Sequence, residues 1–247
     1  MAKTKKTKTY TARAISGLGG AAAVWLAINA VCDLVETGCA GFEVWTLSRL
    51  PAGGPLGEFG EIPDPTGITV ITGLARVPLI LVMIITSVVV LKWVYRANRN
   101  AHAFGRGLDS DPPWAVGWFF IPVAWLWKPF EAMSETWRVS HQPEGWRKAF
   151  VPGLLRTWWS FWLVGNILGS LSTRLSFMAH DTTALMLATG LEALSAAAMV
   201  VAGLSLRRII LRVSARQTEL IAAPPVIVSD DVVETPPVDP SKPWGPV

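Results

Sequence analysis

Val77-Pro-Leu-Ile-Leu-Val-Met-Ile-Ile-Thr-Ser-Val-Val-Val-Leu91 carries no charge, and its apolar side chains recur around the whole circumference of a helix rather than along one stripe. Extended to roughly residues 75–95 it rises about 30 Å as an α-helix, the thickness of a bilayer's hydrocarbon core. A helix with no polar face has lipid or protein as its solvent, never water. Pro78 falls in the first turn, where a missing N–H costs little, and Arg76 falls at the outer end, where its stem can snorkel.

Working outward, three more stretches have spanning length. The first, roughly 14–35, is built on Ile15 to Cys32 behind a basic start, Met1 to Arg13, that contains Lys3, Lys5, Lys6, Lys8 and Arg13 and no acid. It is too long for a signal-peptide core, so it reads as an uncleaved helix. Its Ser16, Gly17, Gly20 and Ala21, at three- and four-residue spacing, would let a neighbouring helix approach. The other two runs lie at roughly 153–173 and 183–206. With 51% hydrophobic and only 16% charged residues, the chain is too apolar to hide its side chains in one water-soluble core.

Between the first two spans, Asp33 to Gly67 is polar, acidic and rich in Gly and Pro, which predicts a loop with one short helix around Glu43 to Leu50. Between the second and third, Trp114 to Trp127 forms an apolar run of fourteen residues broken by Pro122 and closed by Lys128-Pro129. Fourteen helical residues rise only about 21 Å, too short to cross. A re-entrant or interfacial element is expected there, followed by an amphipathic helix from Pro129 to Ser140. Ten of the thirteen Trp fall between Trp93 and Trp162, and indole favours the headgroup boundary. Residues 221–247, rich in proline and acid, are expected to be a disordered tail.

The fold class is therefore all-α integral membrane: a four-helix transmembrane bundle over 14–220 with a Trp/Pro-rich segment at 114–127. Four spans place nineteen of twenty-two Lys and Arg on one side and leave Arg49, Arg76 and Arg174 on the other. Basic flanks stay in the cytoplasm, so both termini and the 92–152 region are expected there. A full crossing by 114–127 would export the cluster Arg207, Arg208, Arg212 and Arg216, which the charge asymmetry opposes. The pI near 9.3 does not point to nucleic acid, because the basic clusters abut apolar spans and so read as topology signals and anionic-lipid contacts.

Two groups of residues invite a functional reading. Glu192, at mid-span, costs several kcal/mol in lipid and must face protein or water. Thr189 and Ser195 share its face, while Asn166 and Ser170 form a stripe at similar depth in the third span, so a Glu192–Asn166 contact is expected. A proton or solute path is one reading and an interhelical hydrogen bond, the more favoured, is the other. The second group is Arg96, Asn98 and Asn100, followed by Trp114, Trp118, Lys128 and Arg138. These could bind headgroup phosphate, or satisfy buried backbone around a broken helix, and the latter is favoured.

No catalytic motif, phosphate loop or metal-ligand spacing is present, so no enzyme, metal or cofactor is expected. His102 with Glu131 or Glu135 is the one combination left for a metal, each reading more simply as an interfacial side chain. Cys32 and Cys39 admit one disulfide, but Cys32 falls inside a helix end, which favours free thiols. The expected partners are membrane lipids, with a protein partner or a second copy as further options.

The run from Tyr95 to Ser140 resembles the bacterial membrane family called domain of unknown function 4328. The residues that carry the likeness are Arg96-Ala-Asn-Arg-Asn100, Phe104-Gly105, Trp114-Ala-Val-Gly-Trp-Phe-Phe-Ile-Pro122, Leu126-Trp-Lys-Pro-Phe130, Ala132-Met133 and Trp137-Arg-Val-Ser140. Trp125 departs from the pattern, standing where many relatives carry Asn. The resemblance extends over about 14–220 and implies a bacterial inner-membrane protein. It implies no activity. A binding module is the leading expectation, and a transporter or channel component using Glu192 and Asn166 is its rival.

Overall fold

A computed structural model describes residues 10–56 and 68–223, with backbone alone over 68–76. The described residues form helices and connecting turns without a strand: α1 (Ser16–Leu47), α2 (Ile68–Phe104), α3 (Pro112–Gly117), α4 (Lys128–His141), α5 (Gly153–Met178) and α6 (Thr182–Ala222). α6 is the axis of the bundle, with α1 along one side and α5 along another, and α2 leans mainly on α1.

Among the described residues, three helices are long and apolar enough to cross a membrane: α1, α2 from Val77 onward, and α6. Their outward faces are unprotected hydrocarbon. On α2 alone Val77, Ile80, Leu81, Met83, Ile84, Ile85 and Val88 are exposed, a continuous apolar surface that water would not tolerate on a monomer. α5, the expected third span, differs from these three. Its 26 residues rise about 39 Å, enough to cross. Its sequence, though, mixes Trp158, Trp159 and Trp162 with Arg156, Asn166, Arg174 and several serines, which dilutes its apolar character.

Two boundaries depart from the sequence expectations. α1 does not stop near residue 35 but continues to Leu47, absorbing the expected short helix at its end. Asp33 holds this polar stretch helical, since its carboxylate accepts from Asn29 Nδ2 at 2.9 Å and its carbonyl from Thr37 Oγ1 at 2.7 Å. Second, α6 runs past Leu206 to Ala222, about 61 Å in all, and carries the arginine cluster out on a rigid rod. The 114–127 segment, expected to be broken at Pro122, is not one helix. α3 passes into two single 3-10 turns, Trp118–Phe120 and Ala124–Leu126, separated by the kink at Pro122. The expected disordered tail lies outside the described residues from 224 on, as do the first nine residues and the Arg76 side chain.

Close helix approach comes from small residues, but not the ones the α1 spacing suggested. Ser16, Gly17, Gly20 and Ala21 face outward, while Gly19, Ala22, Ala23 and Leu26, rotated from them, are buried. A Cβ on Gly19 would collide with the Ser214 side chain of α6, whose Cβ lies 2.8 Å away. On α5 the Gly165-x-x-x-Gly169 pair does the same work: a Cβ at Gly165 would sit 2.8 Å from Met199 Sδ and 3.4 Å from the Ser195 carbonyl. Ser195 Oγ donates to the Gly165 carbonyl at 2.8 Å and Ser172 Oγ to the Ala188 carbonyl at 2.9 Å. At the opposite, acidic end, the turn after α1 clasps the α5–α6 connection through Thr182 N to Gly54 O (3.1 Å) and Thr182 Oγ1 to Pro51 O (2.9 Å).

Candidate functional site

The sequence-predicted residues Arg96, Asn98 and Asn100 lie on the last turns of α2, where that helix meets α4, the end of α6 and the strap of residues 10–15 that precedes α1. Asn98 and Asn100 are fully buried. Asn100 clamps the strap: its Oδ1 accepts from Arg13 N at 2.9 Å and its Nδ2 donates to Arg13 O at 2.8 Å. The same Nδ2 donates to Gln217 Oε1 at 3.1 Å. Gln217, fully buried on α6, donates in turn to the Ala97 carbonyl at 3.0 Å and to Ser140 Oγ of α4 at 2.9 Å. Asn98 Nδ2 donates to Thr136 Oγ1 of α4 at 3.3 Å, and Arg96 Nη1 donates to the Ala14 carbonyl at 3.0 Å. Below this layer Trp93 Nε1 donates to Ser214 Oγ at 2.8 Å. Four chain segments are thus joined by one polar knot inside an apolar surround, where satisfied bonds are stronger than in water and specify a single arrangement.

Sequence reasoning missed Gln217. Its signal was readable: it continues the buried stripe Ile209, Ile210, Val213 by four residues, so a polar residue there faces inward.

The remaining predicted residues lie on the outer side. Trp114 and Trp118 pack ring to ring at 4.8 Å, with Trp114 half exposed. Beyond them Phe120, 70% exposed, Val123 and Trp127 point away from the protein, and Phe150, 78% exposed, stands just before α5. The inner aromatics anchor this collar to α5, with Phe119 and Trp125 both edge-on to Trp162 at 5.9 and 5.5 Å, and Trp159 Nε1 donating to the Leu126 carbonyl at 3.1 Å. Pro122 and Val123 turn the chain sharply. Val123 has φ +69° and ψ −50°, and Ala124 N donates to Pro122 O at 2.8 Å, a γ-turn that is strained for a β-branched residue.

Lys128 pairs with Glu131 at 2.7 Å, and this hydrogen bond holds its ammonium pKa above the ordinary value. Arg138 is half-buried on α4, its Nε without a protein partner among the described residues. Glu135 is buried, and burial pushes its carboxyl above the ordinary range, against the N–H groups of Asp109 and Ser110, each at 3.3 Å. His102 Nε2 lies 2.9 Å from the Ser110 carbonyl and its ring 5.2 Å from Tyr10 of the strap. His102, Glu131 and Glu135 therefore each serve separate contacts, and no group of three metal-ligating side chains occurs among the described residues. Cys32 and Cys39 are free.

The intramembrane group is less concentrated. Asn166 Nδ2 donates to Trp162 O of its own helix at 2.7 Å, Ser170 is exposed with its hydroxyl on Asn166 O, and Thr189 is buried with its hydroxyl on Leu185 O. Glu192 is half-buried. Ser172 and Ser195 make cross-helix bonds between α5 and α6.

The model of a family described as domain of unknown function (DUF4328) matches residues 67–215, from the start of α2 almost to the end of α6 and without α1. No curated protein and no solved structure matches the chain.

Proposed function

Because the chain belongs to that family, whose description carries no activity, we propose a function from the geometry of its basic end: a non-enzymatic, multi-pass module of the bacterial inner membrane that binds anionic phospholipid headgroups at its aromatic collar. The observation that carries this is a division of labour. Arg96, Asn98 and Asn100 turn inward to hold the fold, while Trp114, Phe120, Trp127 and Phe150 are exposed, as are Lys148 and Arg156 on the segment that leads into α5. Indole and phenyl groups beside cations suit the boundary where acyl chains give way to phosphate. In this reading α5 is a fourth span, supported by its length and by the exposed Val164, Ile167, Leu171 and Phe177 on its outer face. Both termini are then cytoplasmic, as the basic flanks require.

The test is a thermal melt of purified protein in neutral detergent with added phosphatidylglycerol or phosphatidylcholine. Phosphatidylglycerol should raise the melting temperature by several degrees and phosphatidylcholine should not. The combined variant Trp127→Ala, Lys148→Ala, Arg156→Ala should lose that shift while melting normally without lipid. An equal shift from both lipids, or a shift that survives in the variant, refutes the headgroup reading. Transport along Glu192 and Asn166 has less support, since neither residue lines the cavity of about 280 Å³ enclosed by α1, α2, α5 and α6. A proteoliposome flux abolished by Glu192→Gln would revive it.

A further inference from the structure

The apolar run of α6 closes at Leu206, and the helix continues to Ala222. Arg212 and Arg216 stand six and ten residues past Leu206, about 9 and 15 Å along the axis, whereas a headgroup layer is only about 5–8 Å deep. Arg207 and Arg208 therefore fall at phosphate depth, and Arg212 and Arg216 beyond it. The two outer guanidinium groups crowd His141 at the end of α4. Burial chiefly lowers the pKa of that imidazole, and the charges of Arg216 and Arg212 add to the fall. Glu219 answers Arg216 at 2.6 Å, while Arg212 is exposed and has no ion pair among the described residues. This face carries more positive charge than the helices around it balance.

The chain itself supplies the missing sign. Beyond residue 223 it holds Asp230, Asp231, Glu234 and Asp239 against Lys242. Pro224 and Pro225 come directly after the end of α6, and neither has an N–H with which to prolong the helix. Asp230 is eight residues past Ala222, a reach of up to about 28 Å. Arg216 and Arg212 lie six and ten residues back from the same point, only about 9 and 15 Å away along the helix. Exposed Leu211 and Ala215 run beside the arginines, and Val232 and Val233 stand between Asp231 and Glu234, so both surfaces alternate charge with small apolar groups. Surface ion pairs are individually weak. A short tether holds the acids at an effective concentration in the mM range, where weak pairs suffice.

We propose that the acidic segment Asp230–Glu234 of this chain docks back on the Arg212–Arg216 face of α6, beside His141. The inference is independent of lipid binding at the collar.

The test uses the full chain with the photoreactive residue benzoylphenylalanine in place of Val232, irradiated in neutral detergent at low ionic strength, with adducts mapped by peptide mass spectrometry. Adducts within a monomer-sized band are expected on residues 208–219 and at the end of α4. They should fall roughly fivefold or more in about 1 M salt, where the screening length shrinks to about 3 Å. Arg212→Gln, which spares the Arg216–Glu219 pair, should lower them roughly two- to threefold. The reversal Arg212→Glu, Arg216→Glu should abolish them, and adding Asp230→Arg, Asp231→Arg should bring them back. Adducts indifferent to salt and to Arg212→Gln, no recovery on charge exchange, or crosslinks confined to residues 3–8 or to a second chain would each overturn the proposal. Adducts displaced by added phosphatidylglycerol would overturn it too, giving this face to lipid.

Discussion

Replacing Asn100 by Ala should release the strap of residues 10–15 from the bundle. The substitution removes three hydrogen bonds, two to the Arg13 backbone and one to Gln217. Arg13 is exposed, so its freed peptide groups regain water and each lost bond there costs about 1 kcal/mol. Gln217 is fully buried, and stranding its Oε1 costs about 1–3 kcal/mol more. The total, roughly 3–5 kcal/mol, is a large fraction of the 5–15 kcal/mol that usually holds a domain folded. Hydrogen–deuterium exchange in detergent should show residues 10–15 losing protection, with a lower melting temperature. In the double variant with Gln217→Ala the cost should fall short of the sum of the singles by about 1–2 kcal/mol, because the two side chains share a bond. Unchanged strap protection in Asn100→Ala, or strict additivity, would refute the account of the knot.

Other consequences can be measured on the same preparation. Gly165→Leu should separate α5 from α6 and cost about 1–3 kcal/mol, since the side chain meets the Ser195 carbonyl as well as the flexible Met199; denaturant unfolding like wild type would contradict it. Val123→Gly should stabilise by about 1 kcal/mol, the relief of a strained φ exceeding the entropy of one glycine, and an equal or lower melting temperature would count against the strain. Stability should also depend on pH at α4. Burial chiefly lowers the His141 pKa from 6.5, so its contribution is complete above pH 6.5 and is lost as the pH falls through the folded value. Burial chiefly raises the Glu135 pKa from 4.5, so its contribution is complete below pH 4.5 and is lost as the pH rises through its folded value. Melts across this range should lose the acid-side decline in His141→Gln and the other decline in Glu135→Gln; profiles that match wild type would dismiss both assignments.

How much of this was legible in the sequence depends on what each residue's signal competes with. The spans at α1, α2 and α6 read clearly because uninterrupted apolar length has no other explanation. Helix ends did not: α1 passes through acidic residues expected to form a loop, because Asn29, Asp33 and Thr37 satisfy one another along the helix and no proline intervenes before Pro51. Residue type alone could not tell Asn100 from Lys128, although one is locked inside and the other faces the rim, because the last turns of α2 are enclosed by three elements that only tertiary structure brings together. Similar depth could not show that the amide of Asn166 turns back to its own helix, nor that serines at close-packed positions bond one helix to the other.

The position of Gln217 sets an order of events during biosynthesis. The strap is the first part of the described chain to leave the ribosome, and its clamp, Asn100, follows 87 residues after Arg13. The glutamine that completes the clamp comes 117 residues later still. Until it emerges, the newly inserted helices hold their amino-terminal lead only by a half-built latch, so a nascent chain truncated before residue 217 should remain open to protease at the lead even with all its membrane helices in place.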